Sequence, residues 1–175
     1  MRLVFCGVGA LGSTAAVLCR SLGAELRLVD FDRVETKNLA AQAFVKQSLG
    51  KNKAEALSVR VDDTNVAAVC AGADLIVDAF DNQASRNVLS RFARGAKMPL
   101  VHAAMSGDGN FGMVRWDERF VADAEDHAGQ ATCEGGEHLP FIGVLAATLA
   151  RVIQAFVKDG ARKDAMVSLD AVRMI

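Results

Sequence analysis

Only two prolines, Pro99 and Pro140, interrupt the 175 residues, and no low-complexity stretch or repeat period accompanies them. Without such a linker there is nowhere to divide the chain, so its length fits a single domain, residues 1–175. No charge of one sign dominates: 20 Lys and Arg face 21 Asp and Glu, a formal net charge of −1. Neither sign forms a long block, which argues against nucleic acid or an anionic membrane as partner. The four cysteines, Cys6, Cys19, Cys70 and Cys133, contain no C-x-x-C pair, and three lie in apolar segments where a thiol acts as a small hydrophobe. Neither a zinc site nor a disulfide framework is expected. The opening RLVFCGVGALG lacks a basic lead into an apolar stretch with a cleavage site, and no segment reads as apolar enough to span a bilayer. These absences give a cytoplasmic location as the expectation.

What the chain does contain is alternation. Arg2 to Cys6 reads as a buried strand, Leu11 to Leu22 as a helix closed by Gly23, and Glu25 to Asp30 as a second strand, together one βαβ unit. After a polar stretch from Phe31 to Gly50, apolar positions over Lys51 to Val61 recur at helical spacing, ended by Asp62 and Asp63. ADLIVDAF (73–80) suits a parallel strand buried on both faces, and a helix over 85–97 and a strand over 99–104 repeat the unit. The pattern predicts an α/β, Rossmann-like, mostly parallel sheet with helices on both faces. Toward the C-terminus, 109–116 and 165–172 read as antiparallel or edge strands flanking a long apolar helix over 139–158. Residues 117–138 lack periodicity and read as a mobile loop over the site.

Gly7, Gly9 and Gly12 spell G-x-G-x-x-G between the first strand and helix. Such glycines permit the tight turn, the approach of backbone to phosphate, and close packing of helix on strand. Asp30, at the end of the second strand, stands where a carboxylate accepts hydrogen bonds from ribose hydroxyls, and Asp32 faces the same side if the strand continues. These features alone suit a dehydrogenase as well as a nucleotidyl transferase.

The residues that follow narrow the choice. D-F-D at 30–32, N-L-x-x-Q at 38–42, G-x-x-K at 50–53 and D-x-x-D-N at 78–82 succeed the glycine loop in that order. The series continues through VHAAMSGDGNFGMV and TCEGGEHLPFIGVLAATLA, and it resembles the ThiF, MoeB and HesA family, bacterial relatives of ubiquitin-activating enzymes. Such proteins bind ATP and magnesium and adenylate the C-terminal glycine carboxylate of a ubiquitin-like or sulfur-carrier protein, commonly as homodimers. The resemblance implies that Gly7, Gly9 and Gly12 face phosphate, Asp30 the ribose, and Asn38, Gln42 and Lys53 the triphosphate, while Asp81 holds Mg2+. It also sets Cys133 where several relatives carry a reactive thiol, although the adjacent Glu134 and Glu137 disfavour a thiolate.

In-line displacement at an α-phosphate gathers negative charge that a lysine and a magnesium ion offset, which suits Lys53 and Asp81. Lys53 also reads as a solvated helix-face lysine, and Asp81-Asn82 as a cap for the following helix. His102 reads as core or crevice wall, and His127 and His138 flank Cys133 in the aperiodic segment. The chain departs from the resemblance at Ala41, where the family motif N-L-x-R-Q has arginine, and at the start, which lacks the N-terminal segment that donates a second arginine. Arg33 is a candidate substitute. Three functions therefore stand: an adenylyltransferase, a non-catalytic nucleotide-binding scaffold subunit, and an NAD-dependent oxidoreductase supported only by the glycine loop and Asp30.

Overall fold

The structure, a computed structural model, describes residues 1–54, 57–121 and 138–175. Its centre is β1 (Arg2–Cys6), whose residues from Leu3 to Cys6 are fully buried. An unbroken apolar run is what a strand covered on both faces requires. β2 (Glu25–Val29) and β3 (Leu75–Asp78) flank it in parallel, with Phe5 opposite Leu28 on one side and Val77 on the other. β4 (Leu100–Met105) extends the parallel part, and β5 (Phe111–Trp116), β6 (Ala165–Ser168) and β7 (Val172–Met174) continue it antiparallel. The order is β2-β1-β3-β4-β5-β6-β7, the expected mixed sheet.

Alternation along the strands sorts the core into two layers. Leu3, Phe5, Leu75, Val77, Val101 and Ala103 face α1 (Ala10–Cys19) and α4 (Leu139–Asp159). Val4, Cys6, Ile76 and Leu100 face α2 (Val66–Val69) and α3 (Gln83–Ala96), where they meet Val66, Val88 and Leu89. Because β1 lies between β2 and β3, the chain leaves it in opposite directions on its two sides. That reversal opens a crevice at the carboxyl ends of the three strands.

Four expectations are corrected. The described residues of 51–61 form no helix: Asp30 N–H donates to Leu57 O at 3.2 Å, Leu57 bridges Val29, and burial alternates through Leu57, Val59 and Val61. Pairing along the edge of β2 outweighs helical spacing there. The segment 165–172 is not one strand; Ser168 N–H donates to Ala171 O and the chain reverses into β7. The start of 117–138 does not arch over the crevice. Asp117 and Phe120 are buried at the opposite end of β5, where Trp116 pairs with Val101, and residues 122–137 lie outside the described residues. Finally, α4, with 21 residues and a mean hydropathy of 1.7 in its most apolar window, is long and apolar enough to cross a membrane. In this structure it packs against α1 and the sheet, with Leu145, Leu149 and Ile153 fully buried. Cys6, Cys19 and Cys70 are free buried thiols, and burial pushes Cys19 up to about 11.

Candidate nucleotide site

The glycine loop joins β1 to α1 at the mouth of the crevice. Gly7 has φ +89°, a conformation that side chains resist, and a Cβ there would lie 2.7 Å from the Ala79 backbone. A Cβ on Gly12 would overlap the Gly7 carbonyl oxygen, so helix and loop touch backbone to backbone. Gly9 differs, because a Cβ there meets nothing within 4 Å. Gly9 is also the N-cap of α1 and supplies no side-chain cap, which leaves the helix start open to an anion.

Asp30 is 6% exposed and anchors this loop. Its Oδ2 accepts the Val8 amide at 2.7 Å and its Oδ1 the Asp32 amide at 2.9 Å. Burial pushes its carboxyl upward against the pull of those two donors. Each oxygen retains a second lone pair, so the arrangement still permits a hydroxyl donor. Asp32 is half exposed and pairs with Lys53, Nζ to Oδ2 at 3.1 Å, while the Lys53 amide donates to Asp32 O at 2.9 Å. The Lys53 side chain is only 8% exposed, so the solvated helix-face alternative does not describe it.

Between them runs the segment from Glu35 to Gly50. Asn38 is buried and forms a capping box with Glu35, its Oδ1 accepting the Glu35 amide at 2.8 Å. Ser13 Oγ accepts the Ala43 amide at 2.9 Å and ties the segment to α1. Gln42 follows, its amide bonded to Asn38 O, and its Oε1 is buried with no hydrogen-bond partner. Buried carbonyl oxygens are rarely left unpaired. Ala41 is half buried, and Arg33 is turned toward Gly50, donating from Nη1 to its carbonyl at 2.7 Å.

On the far side of the loop, Asp81 is exposed in the turn from β3 to α3. Capping falls to Asn82, whose Oδ1 accepts the Ser85 amide at 2.9 Å, leaving Asp81 outside the cap. Beneath this turn lies a buried polar chain. Asp78 Oδ2 meets His102 Nδ1 at 2.7 Å, and His102 Nε2 meets Asp117 Oδ1 at 3.0 Å. Arg86 approaches Asp78 and donates to the Phe80 and Ala103 carbonyls. His102 is thus core, in line with one of its two readings. Asp78 opens the D-x-x-D-N motif at 78–82 and lies in a strand read as buried on both faces, but the motif does not mark it as a partner of His102, and Asp117 stands in no motif.

Cys133 and His127 lie outside the described residues. His138 is the N-cap of α4 without a side-chain cap bond, and its ring stands against Gly109. The glycine loop thus meets Asp30 through Val8, the segment holding Asn38 and Gln42 through Ser13, and the turn before Asp81 through Gly7, while Lys53 joins through Asp32.

The family model for the ThiF family matches residues 1–68, which contain the glycine loop, D-F-D, N-L-x-x-Q and G-x-x-K. Over those residues the chain belongs to the ThiF family. Among similar proteins, the SAMP-activating enzyme E1 of Haloferax volcanii is 36% identical over 122 residues, 59% of this chain and 45% of that protein. Molybdopterin-synthase adenylyltransferase of Escherichia coli K12 is 29% identical over 173 residues, 85% of this chain and 70% of that one. The chain thus spans less than half of the first relative's length. Among solved structures, E. coli MccB with MccA-N7isoASN aligns with TM-score 0.76 at 20% identity, over 99% of this chain and 63% of that one. E. coli tRNA N6-threonylcarbamoyladenosine dehydratase, TcdA, aligns at 0.63 and 20% identity, over 91% and 85%. At those identities the likeness is one of ThiF-type fold.

Proposed function

We propose that this ThiF-family chain binds ATP in the crevice and transfers its adenylyl group to a carboxylate, the C-terminus of a small ubiquitin-like or sulfur-carrier protein ending in Gly-Gly. The observation that carries the reading is the uncapped start of α1 at Gly9, after a strand that lies between β2, whose end leads to the Asp32–Lys53 pair, and β3, whose end leads to Asp81. NAD would use the glycine loop and Asp30 but gives no task to that lysine and carboxylate. Relatives named as an adenylyltransferase and a SAMP-activating enzyme agree with this choice.

The residues present fit the ligands. Gly9 leaves room for phosphate, and Gln42 Oε1 lacks a partner that a ligand donor or water would supply. No group of three or more His, Cys, Asp or Glu side chains suited to hold a metal occurs among the described residues. A single carboxylate is nevertheless an ordinary protein share for Mg2+, which takes its remaining ligands from phosphates and water. Asp81 would hold it, and bound magnesium would neutralise charge on the departing pyrophosphate.

In the proposed reaction a carboxylate oxygen of the carrier attacks the α-phosphorus, the bond to the bridging oxygen breaks, and pyrophosphate leaves with the electron pair. The α1 amides and Gly9 bind and orient phosphate, Asp30 receives the ribose hydroxyls, and Asn38 and Gln42 border the phosphates. Lys53 offsets developing charge, released from Asp32 or shared with it. Cys133 is proposed as an acceptor thiol for onward transfer, and two copies of the chain as the working unit.

Ala41 favours a second reading, a scaffold that binds nucleotide without adenylation, because the phosphate-directed arginine of the motif is missing and Arg33 is engaged with Gly50. The separating experiment captures small Gly-Gly proteins in the presence of ATP and then measures ATP–pyrophosphate exchange with the captured carrier. Lys53→Ala and Asp81→Ala each lower exchange on the order of 100-fold. Exchange unchanged in both variants sinks the roles assigned to them, and tight ATP binding without any exchange selects the scaffold.

A further inference from the structure

We propose that His102 is a positioning residue: held between Asp78 and Asp117, it fixes the β3–α3 turn that presents Asp81 and underlies the glycine loop. The inference rests on the nucleotide reading above, since it concerns how that same site is held.

The turn is supported from below by bonds that converge on Asp78. Asp78 Oδ1 accepts the Phe80 amide at 3.0 Å, while Oδ2 takes His102 Nδ1 at 2.7 Å and lies 3.4 Å from Arg86 Nη1. Arg86 also donates to Phe80 O and, at 2.9 Å, to Ala103 O, while the Ala79 amide donates to Cys6 O at 2.8 Å. Any shift of Ala79 or Phe80 reaches the phosphate loop directly, because there is no room for even a Cβ between Gly7 and their backbone. The same shift moves Asp81, the next residue along.

His102 is the member that joins this turn to the rest of the sheet. It is fully buried, stacked on Phe120 at 3.9 Å, and its Nε2 reaches Asp117. Asp117 is itself held by Ser90 Oγ and by Arg94 Nε at 2.6 Å, both from α3. Ionised carboxylates only accept hydrogen bonds, so keeping both bonds to them requires a proton on each ring nitrogen, the imidazolium form. The charged groups facing it are Asp78 from β3, Asp117 after β5, Arg86 and Arg94 from α3, and its cross-strand neighbour Arg115 on β5. Burial works against the charged ring, but the bonds to Asp117 and Asp78 outweigh it, so the net displacement is upward from the ordinary imidazole value. The sign follows: both bonds are present at low pH, and one is lost as pH rises through that raised value.

Two amides dissect the ring. Asn at this position carries a donor near Nδ1, toward Asp78, and Gln carries one near Nε2, toward Asp117. The test is titration calorimetry of the full chain with ATP and Mg2+ from pH 6 to 9, with thermal unfolding of each variant alongside. Wild type is expected to bind progressively less tightly as pH rises. His102→Asn stays within about 3-fold of wild type at pH 6 and loses the pH dependence, whereas His102→Gln weakens binding about 10-fold. A purely structural histidine makes binding follow the loss of melting temperature in both variants, and that result, or unchanged binding in both, overturns the proposal. Wild-type protein that fails to bind ATP with Mg2+ overturns the nucleotide reading and this inference with it.

Discussion

A methyl group added at Gly9 meets empty space, whereas one added at Gly12 overlaps the Gly7 carbonyl and lies 3.2 Å from Ala79 Cβ. Gly12 answers to helix packing and, in the proposed reading, Gly9 to ligand approach; alanine separates the two. Gly12→Ala is expected to lower unfolding free energy by about 2–3 kcal/mol, read from urea denaturation. Gly9→Ala should stay within about 0.5 kcal/mol of wild type yet weaken ATP binding at least about 10-fold, because the new methyl group occupies the phosphate approach. Gly7 and Gly12 were legible in the sequence because their spacing between a strand and a helix states a backbone requirement. Asp30 was legible only by half. Its place at the end of β2 is plain, but its bonds to the Val8 and Asp32 amides follow from how the loop closes. The Asp78–His102–Asp117 chain was not legible, because it exists only through the register that sets Asp78 opposite His102.

At the scale of elements, α3 gains its start from Asn82 and its end from Lys97, which takes φ +54° as C-cap. Asn82→Ala removes the side-chain acceptor for the Ser85 amide and is expected to cost about 1 kcal/mol in urea unfolding. A loss below about 0.2 kcal/mol would mean that the helix start is held by the Arg86 bonds instead. Element type was read well where periodicity coincided with burial, as in α4, expected at 139–158 and found at Leu139–Asp159. It failed at 51–61, whose apolar residues satisfy helical spacing while Leu57, Val59 and Val61 also alternate. Pairing of Leu57 with Val29 decides between the two periods, and no local window contains that contact.

For the whole molecule, strand order matters most. β1 between β2 and β3 opens the crevice, and the same order brings residues 7–12, 30–53 and 81 to one rim. The succession of motifs foreshadowed that convergence, since each falls at or after the carboxyl end of a central strand. The proposed choice of ATP over NAD rests on the same convergence, because that reading gives Lys53 and Asp81 a task only beside a triphosphate. The measurement that tests this most directly is the melting temperature of the full chain with ATP and Mg2+, with NAD, and with neither, in wild type and Gly9→Ala. The account predicts a concentration-dependent rise with ATP and Mg2+, none with NAD, and in Gly9→Ala a smaller rise with ATP and Mg2+ at each concentration. A rise with NAD alone, or an ATP-induced rise of equal size in Gly9→Ala, would contradict it.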